Sequence, residues 1–411
     1  MIGMKKYKLG DIASIFAGGD APKENMSSFK NDQFSIPIYS NGIECEGIYG
    51  YTNFARVTEQ AITVSARGTI GVPFRRREPY FPIVRLISII PDNQIVDVDY
   101  LYYYIKNTPM VGEGSVQSQL TVPMVREYKV SLPPLPVQQK VASVLSSLDK
   151  KIALNKQINQ NLEALARQLY DYWFVQFDFP DANGKPYKSS GGKMVYNPIF
   201  KREIPDGWEV KTLSSFISKN NTGDWGKDED FEKSIQIGCV RGADIVTLCN
   251  LPTRYIKNNP SKLLQPLDIV IEISGGSPTQ ATGRSAFITE GVISRNGGAI
   301  SCSNFCHAFT MKNVKKAPYF FYLWRTFYDN DIMFNYEGKT SGLKNFMTDT
   351  FLANTWFDAP DILTNLFYEK VMGIFSEIDN NIAEILSLTK QRDELLPLLM
   401  NGQVNFDLSD D

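Results

Sequence analysis

Two stretches of the chain set arginine, serine, threonine and glutamine on glycine-hinged loops directly after β-like runs. The first is Ser65-Ala66-Arg67-Gly68-Thr69-Ile70-Gly71, with Arg75-Arg76-Arg77 a few residues on. The second is Ser274-Gly275-Gly276-Ser277-Pro278-Thr279-Gln280-Ala281-Thr282-Gly283-Arg284. Glycine lets backbone approach a ligand closely, the guanidinium fork matches phosphate or the guanine edge, and a glutamine amide matches adenine. Two further loops carry the same chemistry with few acids: Gly114-Ser115-Val116-Gln117-Ser118-Gln119 and Gly338-Lys339-Thr340-Ser341-Gly342-Leu343-Lys344. The expected DNA contacts are therefore Arg67, Thr69, Arg75, Arg76, Gln117 and Ser118 from the two loops in the first half of the chain. From the two loops in the second half they are Thr279, Gln280, Arg284, Lys339, Ser341 and Lys344. Ordinary exposed turns draw on the same residue types, so each position also has a purely structural reading.

Other chemistries find little support. His307 is the only histidine, which nearly excludes nucleophilic triads, histidine-ligated metals and histidine acid–base catalysis. Cys45, Cys239, Cys249, Cys302 and Cys306 lack the paired spacing of a zinc site and read as free thiols of a reducing compartment, so no metal and no catalytic residue is expected. Asn197-Pro198-Ile199-Phe200 is one residue away from the catalytic motif of adenine-N6 methyltransferases, but no glycine-rich cofactor loop follows a strand. The chain has no apolar run of membrane-spanning length and no secretory segment behind Met1-Ile2-Gly3-Met4-Lys5-Lys6, so a cytoplasmic protein is expected.

The loops need a scaffold, and the sequence offers it twice. Lys140-Val141, Leu148-Asp149-Lys150-Lys151-Ile152-Ala153, Leu165 and Leu169 return as Lys370-Val371, Ile378-Asp379-Asn380-Asn381-Ile382-Ala383, Leu395 and Leu399, all at one separation. Upstream, Tyr100 and Tyr103 answer to Tyr319 and Tyr322, Glu113-Gly114 to Glu337-Gly338, and Leu9 to Leu213, at drifting separations. Loops absorb insertions, whereas a helical seam loses register with one inserted residue. The repeat thus predicts two variable domains, each followed by a register-locked helix.

The helical seams run through Val141, Leu145, Leu148, Ile152, Asn155, Asn159, Leu162, Ala166, Leu169 and Trp173, then Val371, Phe375, Ile378, Ile382, Ile385, Thr389, Arg392, Leu396 and Leu399, in the four–three rhythm of a coiled coil. Asn155 and Asn159 in one seam, and Thr389 and Arg392 in the other, would reject slipped registers. Pro133, Pro134 and Pro136 stiffen the approach to the first helix and Pro360 the approach to the second, while Pro397 should end or kink its last turns before Gly402. The net charge is only −2, but the first helical segment is basic and the second acidic, which favours pairing between them. About 35 residues at about 1.5 Å each make a rod of about 50 Å, comparable to one or two turns of duplex.

The expected organisation is a domain over 1–135, a helix over 136–176, a linker over 177–206, a second domain over 207–360, a helix over 361–402 and a tail over 403–411. Strand candidates in the domains are Ile36–Tyr39, Ala61–Ser65, Ile83–Ile90, Ile235–Ile237 and Asp268–Ile273, and Tyr100–Ile105 and Tyr319–Trp324 read as short helices with aromatic packing faces. The fold class is α+β: two mixed α/β domains separated by two long helices in an antiparallel coiled coil, with an internal pseudo-twofold repeat.

The succession Ser65-Ala-Arg-Gly-Thr-Ile-Gly71, Gly114-Ser-Val-Gln-Ser-Gln-Leu120, then Ser131-Leu-Pro-Pro-Leu-Pro-Val-Gln-Gln-Lys-Val-Ala142 with Leu148-Asp149 resembles the specificity subunit of Type I restriction-modification systems. Arg202-Glu-Ile-Pro-Asp-Gly-Trp208, which opens the second half in that family, resembles it too. The second copy departs from the pattern at Asp358-Ala-Pro-Asp-Ile362 and at Gly338-Lys-Thr-Ser341. The resemblance implies a non-catalytic subunit in which each domain reads one half of a split, asymmetric DNA target. The paired helices would set the unread spacer and dock two methyltransferase subunits, with restriction subunits joining and S-adenosylmethionine and ATP bound by those partners. A lone adenine-N6 methyltransferase and a stand-alone DNA-binding regulator remain the other readings.

Overall fold

The structure, a computed structural model, describes residues 3–112, 119–275, 277, 279–340 and 343–403. It divides into two compact units, Met1–Ala153 with Leu386–Asp411 and Leu154–Ile385. Four helices organise them: α1 (Val98–Asn107), α2 (Leu135–Tyr170), α3 (Ala317–Asp329) and α4 (Asp361–Met400). The unit boundary falls within α2 and α4, so each unit holds one domain together with part of both long helices.

In the first unit, Lys5–Lys8 pairs antiparallel with Lys129–Leu132 just before α2 begins. A four-stranded sheet runs in the order Ala13–Ala17, Ile87–Pro91, Ala61–Val64, Pro73–Arg76, and a second in the order Met26–Ser27, Ile48–Thr52, Ile36–Tyr39, Phe81–Pro82. The second unit repeats this plan. Glu209–Thr212 pairs with Thr355–Asp358 before α4, and a sheet runs Ile217–Thr222, Cys306–Met311, Ile269–Glu272, Ser285–Phe287. Its other sheet runs Thr253–Lys257, Ser234–Val240, Ile300–Cys302, again with the last strand parallel. The internal repeat read from the helices therefore extends through the strand order of both domains.

One expected strand is broken. Ile83–Ile90 is not continuous: Val84 and Arg85 take φ of 51° and 61°, a left-handed pair rare for such side chains. The interruption is where the chain changes sheets, since Phe81–Pro82 pairs with Ile38 and Tyr39 while Ile87–Pro91 joins Ala13–Ala17. Periodicity alone could not show the switch because the residues on both sides are apolar.

The helices form where their ends are satisfied. Asp97 caps α1 by accepting from the Tyr100 amide at 2.9 Å. At the start of α2 the Pro134 carbonyl accepts from the Val137 and Gln138 amides, and the buried Gln138 side chain donates to Pro133 O at 2.9 Å and Ile95 O at 3.1 Å. α4, which Pro397 was expected to end or kink in its last turns, continues through Pro397 and ends three residues later at Met400. A proline three residues from the end forfeits one amide bond without stopping the helix, and Gly402 at φ 66° ends it.

The two long helices pair antiparallel in each unit. In the first, Val137, Val141 and Leu145 share a core with Leu396, Leu399 and Met400, and with Tyr100, Leu101 and Tyr103 of α1. In the second, Asn155 Nδ2 donates to Glu384 Oε2 at 2.7 Å and Asn381 Nδ2 to Asn159 Oδ1 at 2.8 Å, so partners on α4 step backward as α2 advances. Of the expected seam, Val141, Leu145, Ile152, Asn155, Val371, Phe375, Ile378, Leu396 and Leu399 are buried, and Leu148, Leu162, Leu169, Ile382 and Ile385 are partly covered. The polar partners Asn381 and Glu384, and the buried Leu388, lay outside the expected rhythm. Among the described residues, no helix is long and apolar enough to cross a membrane.

Candidate nucleic-acid interface

The loop after Ala61–Val64 is built from inside outward. Buried Ser65 donates its hydroxyl to Thr69 O at 2.6 Å and accepts at its carbonyl from the Gly71 amide at 2.9 Å, closing a tight loop. Gly71 has φ 80°, and a Cβ there would lie 2.4 Å from Met110 O. Gly71→Ala is therefore expected to destabilise the first unit by at least about 1 kcal/mol. An unchanged denaturation midpoint would show that the loop is not held this way.

The closed base leaves Arg67, Gly68 and Thr69 exposed at the tip. Arg67 Nη2 donates to Gln119 Oε1 at 3.2 Å, one bond from a fork with five N–H donors. Asn41 ties this loop to the strand switch: its Oδ1 accepts from the Ala66 amide at 2.8 Å and its Nδ2 donates to Val84 O at 2.7 Å. Arg85, part of the switch, is exposed. Neither Asn41 nor Arg85 stood out in sequence. Asn41-Gly42 gave only a generic turn signal, and Arg85 sits inside an apolar run.

Two of the other arginines turn inward. Arg75 stacks over Tyr102 with its guanidinium carbon 4.4 Å from the ring centroid, and Arg75 Nη2 bonds Asp149 Oδ2 at 3.1 Å. Arg76 is 3% exposed, lies 3.5 Å over the Tyr39 ring and donates to Thr63 Oγ1 at 2.9 Å and Glu46 O at 2.7 Å. Burial draws its pKa below the usual guanidinium value. The strand period of two sends these neighbours to opposite faces, and both are occupied by protein. Arg77 pairs with both oxygens of Asp99 at 2.9 Å. Gln117 and Ser118 lie outside the described residues.

In the second unit the corresponding loop stands on an internal ion-pair layer. Arg284 bonds Glu272 in bidentate fashion at 2.8 and 2.6 Å, which raises the guanidinium's pKa against the effect of burial. Glu337 accepts from the Thr282 amide at 2.7 Å and pairs with Lys344 Nζ at 3.0 Å. Burial pushes the Glu337 carboxyl up, but these bonds outweigh it and hold the group below its ordinary value. Lys344 also donates to Gln280 O at 3.3 Å, and Trp324 Nε1 donates to Gly283 O at 2.7 Å. Arg284 and Lys344 thus hold the loop, while Thr279 and Gln280 are exposed on it. Lys339 lies opposite Lys344 in the hairpin of Glu337–Thr340 with Leu343–Phe346, and Ser341 lies outside the described residues.

The other singled-out groups make contacts within the fold. His307 Nδ1 lies 2.9 Å from Asn220 Oδ1 on a sheet strand, and burial lowers its pKa. Cys239, Cys302 and Cys306 are buried, and burial pushes the Cys239 thiol up to about 11 and Cys306 to about 12, so both stay protonated and unreactive. Asn197 ends the strand Met194–Asn197, its Oδ1 accepting from the Ile199 and Phe200 amides at 3.0 and 3.2 Å, while Phe200 packs 4.4 Å from the Phe357 ring. The Asn-Pro-Ile-Phe segment is a hairpin turn.

Residues 1–164 match the family model of the Type I restriction modification DNA specificity domain. The C-terminal piece of a type I specificity subunit of Mycoplasma pneumoniae is 37% identical over 124 residues, which cover 84% of its length and 30% of this chain. The chain belongs to the Type I DNA specificity family. A Methanocaldococcus jannaschii family member, the specificity subunit of the Type I restriction enzyme MjaIX, is 27% identical over 423 residues, covering 97% of this chain and 92% of that one. The crystal structure of the Mycoplasma genitalium Type I S subunit shares the fold, with a TM-score of 0.65 over 97% of this chain and 96% of that one at 15% identity. In this specificity-family fold, the sheet-and-loop domain standing on paired helices occurs twice.

Proposed function

We propose that each domain reads one half of a bipartite, asymmetric DNA target and that the antiparallel helices fix the unread spacer between the halves. The duplicated plan carries this reading: in each unit the same strand order presents a tightly based loop, with Arg67 and Thr69 exposed in one and Thr279 and Gln280 in the other. The exposed side chains are donors and acceptors suited to base edges and phosphates. The subunit is accordingly a non-catalytic reader. It works with two methyltransferase subunits docked on the helices and with restriction subunits, and those partners bind S-adenosylmethionine and ATP. The names of the relatives support assembly into a restriction enzyme, and the modest net charge fits a protein that shares its DNA surface with partners.

Arg67→Ala tests the reading directly. The side chain is exposed and, among the described residues, carries one side-chain bond, so the fold should be unaffected, while about 1–3 kcal/mol of discrimination disappears at one half-site. The measurement is methylation of oligonucleotides with single-base changes, using the complex with its methyltransferase. Unchanged base preference at every position removes Arg67 from the reading surface.

A further inference from the structure

Asp149 and Asp379 occupy the same position in the two copies of the helical repeat, and each is gripped by an arginine from the domain of its own unit. Asp149 Oδ2 accepts from Arg75 at 3.1 Å and from the Tyr103 hydroxyl at 2.6 Å, while Oδ1 accepts from Arg392 of α4 at 3.0 Å. Burial pushes this carboxyl up, but the bonds from Tyr103 and Arg392 prevail and hold it below its ordinary value. Asp379 Oδ1 accepts from Arg295 Nη1 at 2.6 Å, and Arg295 Nε donates to Leu248 O at 3.2 Å. The side chains of Asp149, Asp379 and Arg295 are 16%, 14% and 9% exposed. A Cβ on Gly291 would meet the Asp379 carboxyl at 2.3 Å, so the short helix Glu290–Arg295 lies directly on α4.

The arginines come from different elements. Arg75 lies on a sheet strand opposite Ile62, whereas the corresponding place opposite Ile269 holds Phe287, whose ring is 4.8 Å from Phe375. Arg295 reaches Asp379 from another element. The two copies thus share the tether and not the residue that forms it. Apolar burial holds a domain on a helix without fixing its angle, whereas charge-assisted bonds with defined donor directions do fix it.

We propose that Asp149 and Asp379 are positioning residues that set the angle at which each recognition domain stands on the helices, and thereby restrict which spacer lengths the complex accepts. This deepens the bipartite reading and rests on it. The test uses the assembled methyltransferase complex with Asp149→Asn, with Asp379→Asn, and with Tyr103→Phe as a milder variant should Asp149→Asn fold poorly. Methylation is measured on targets whose spacer is cognate, one base pair shorter or one base pair longer.

The expected result is unchanged half-site sequences with spacer selectivity reduced about tenfold, the scale of one charge-assisted bond lost. Strict wild-type spacer selectivity in a folded variant overturns the proposal. So does an equal loss of rate on all three spacers, which a merely structural role would give. Failure of the wild-type complex to show any bipartite motif would instead reject the underlying reading, before the variants are compared.

Discussion

Phe367→Ala is expected to lower the stability of the second unit by about 3–5 kcal/mol, the range for emptying a buried phenylalanine site. Phe367 is 0% exposed and its ring centroid lies 6.1 Å from Tyr170, 5.9 Å from Trp173, 5.1 Å from Phe174 and 6.1 Å from Tyr322. It therefore joins α4 to the end of α2 and to α3 at once. Several rings meeting edge to face contribute beyond their buried area, and a methyl group replacing one of them cannot fill the gap. Urea denaturation with an unchanged slope measures the loss. Ile362→Ala, on the same helix but 86% exposed, provides the comparison and should stay within about 0.5 kcal/mol of the wild type. If both substitutions shift the midpoint equally, the aromatic junction is not what fastens α4.

The largest functional effect is expected from paired insertions. Seven residues added beside Asn155 in α2, together with seven beside Ile385 in α4, preserve the four–three phase of both seams and lengthen the pair by about 10 Å. At roughly 3.4 Å per base pair, the spacer should grow by about three base pairs while both half-sites stay the same. The same insertion in one helix alone displaces the bonded pairs Asn155–Glu384 and Asn159–Asn381 and should abolish activity on any spacer. Mapping methylated motifs in a host genome distinguishes these outcomes. Retention of the original spacer by the doubly extended protein excludes a measuring role for the helices.

The helices were legible because their signal is local and cumulative: Val141 to Leu399 recur at spacings that only a packed helix explains. The aromatic runs around Tyr103 and Tyr322 were legible as packing faces for the same reason, and both lie in helices. The loops were legible in place but less so in role. Arg67 and Thr69 differ from Arg75 and Arg76 in what meets them from elsewhere in the chain. Asp149, Tyr103, Tyr39 and Glu46 are remote in sequence, and no spacing rule brings them to an arginine triplet. Arg284 and Lys344 were obscured likewise, because Glu272 and Glu337 compensate them only after the hairpin closes on the loop. Arg85 was hidden for the opposite reason: an apolar run suggests a strand, while the left-handed pair that exposes the side chain is imposed by the exchange between two sheets.

The division of the long helices between the units has a consequence for biosynthesis. The second unit is continuous from Leu154 to Ile385, whereas the first needs the segment from Leu386 onward. On the ribosome, the later-made unit has all its parts first. The earlier-made one has Val137, Val141 and Leu145 without their α4 partners until Leu396, Leu399 and Met400 emerge. The unit that is begun first is therefore completed last, when the end of α4 has been made.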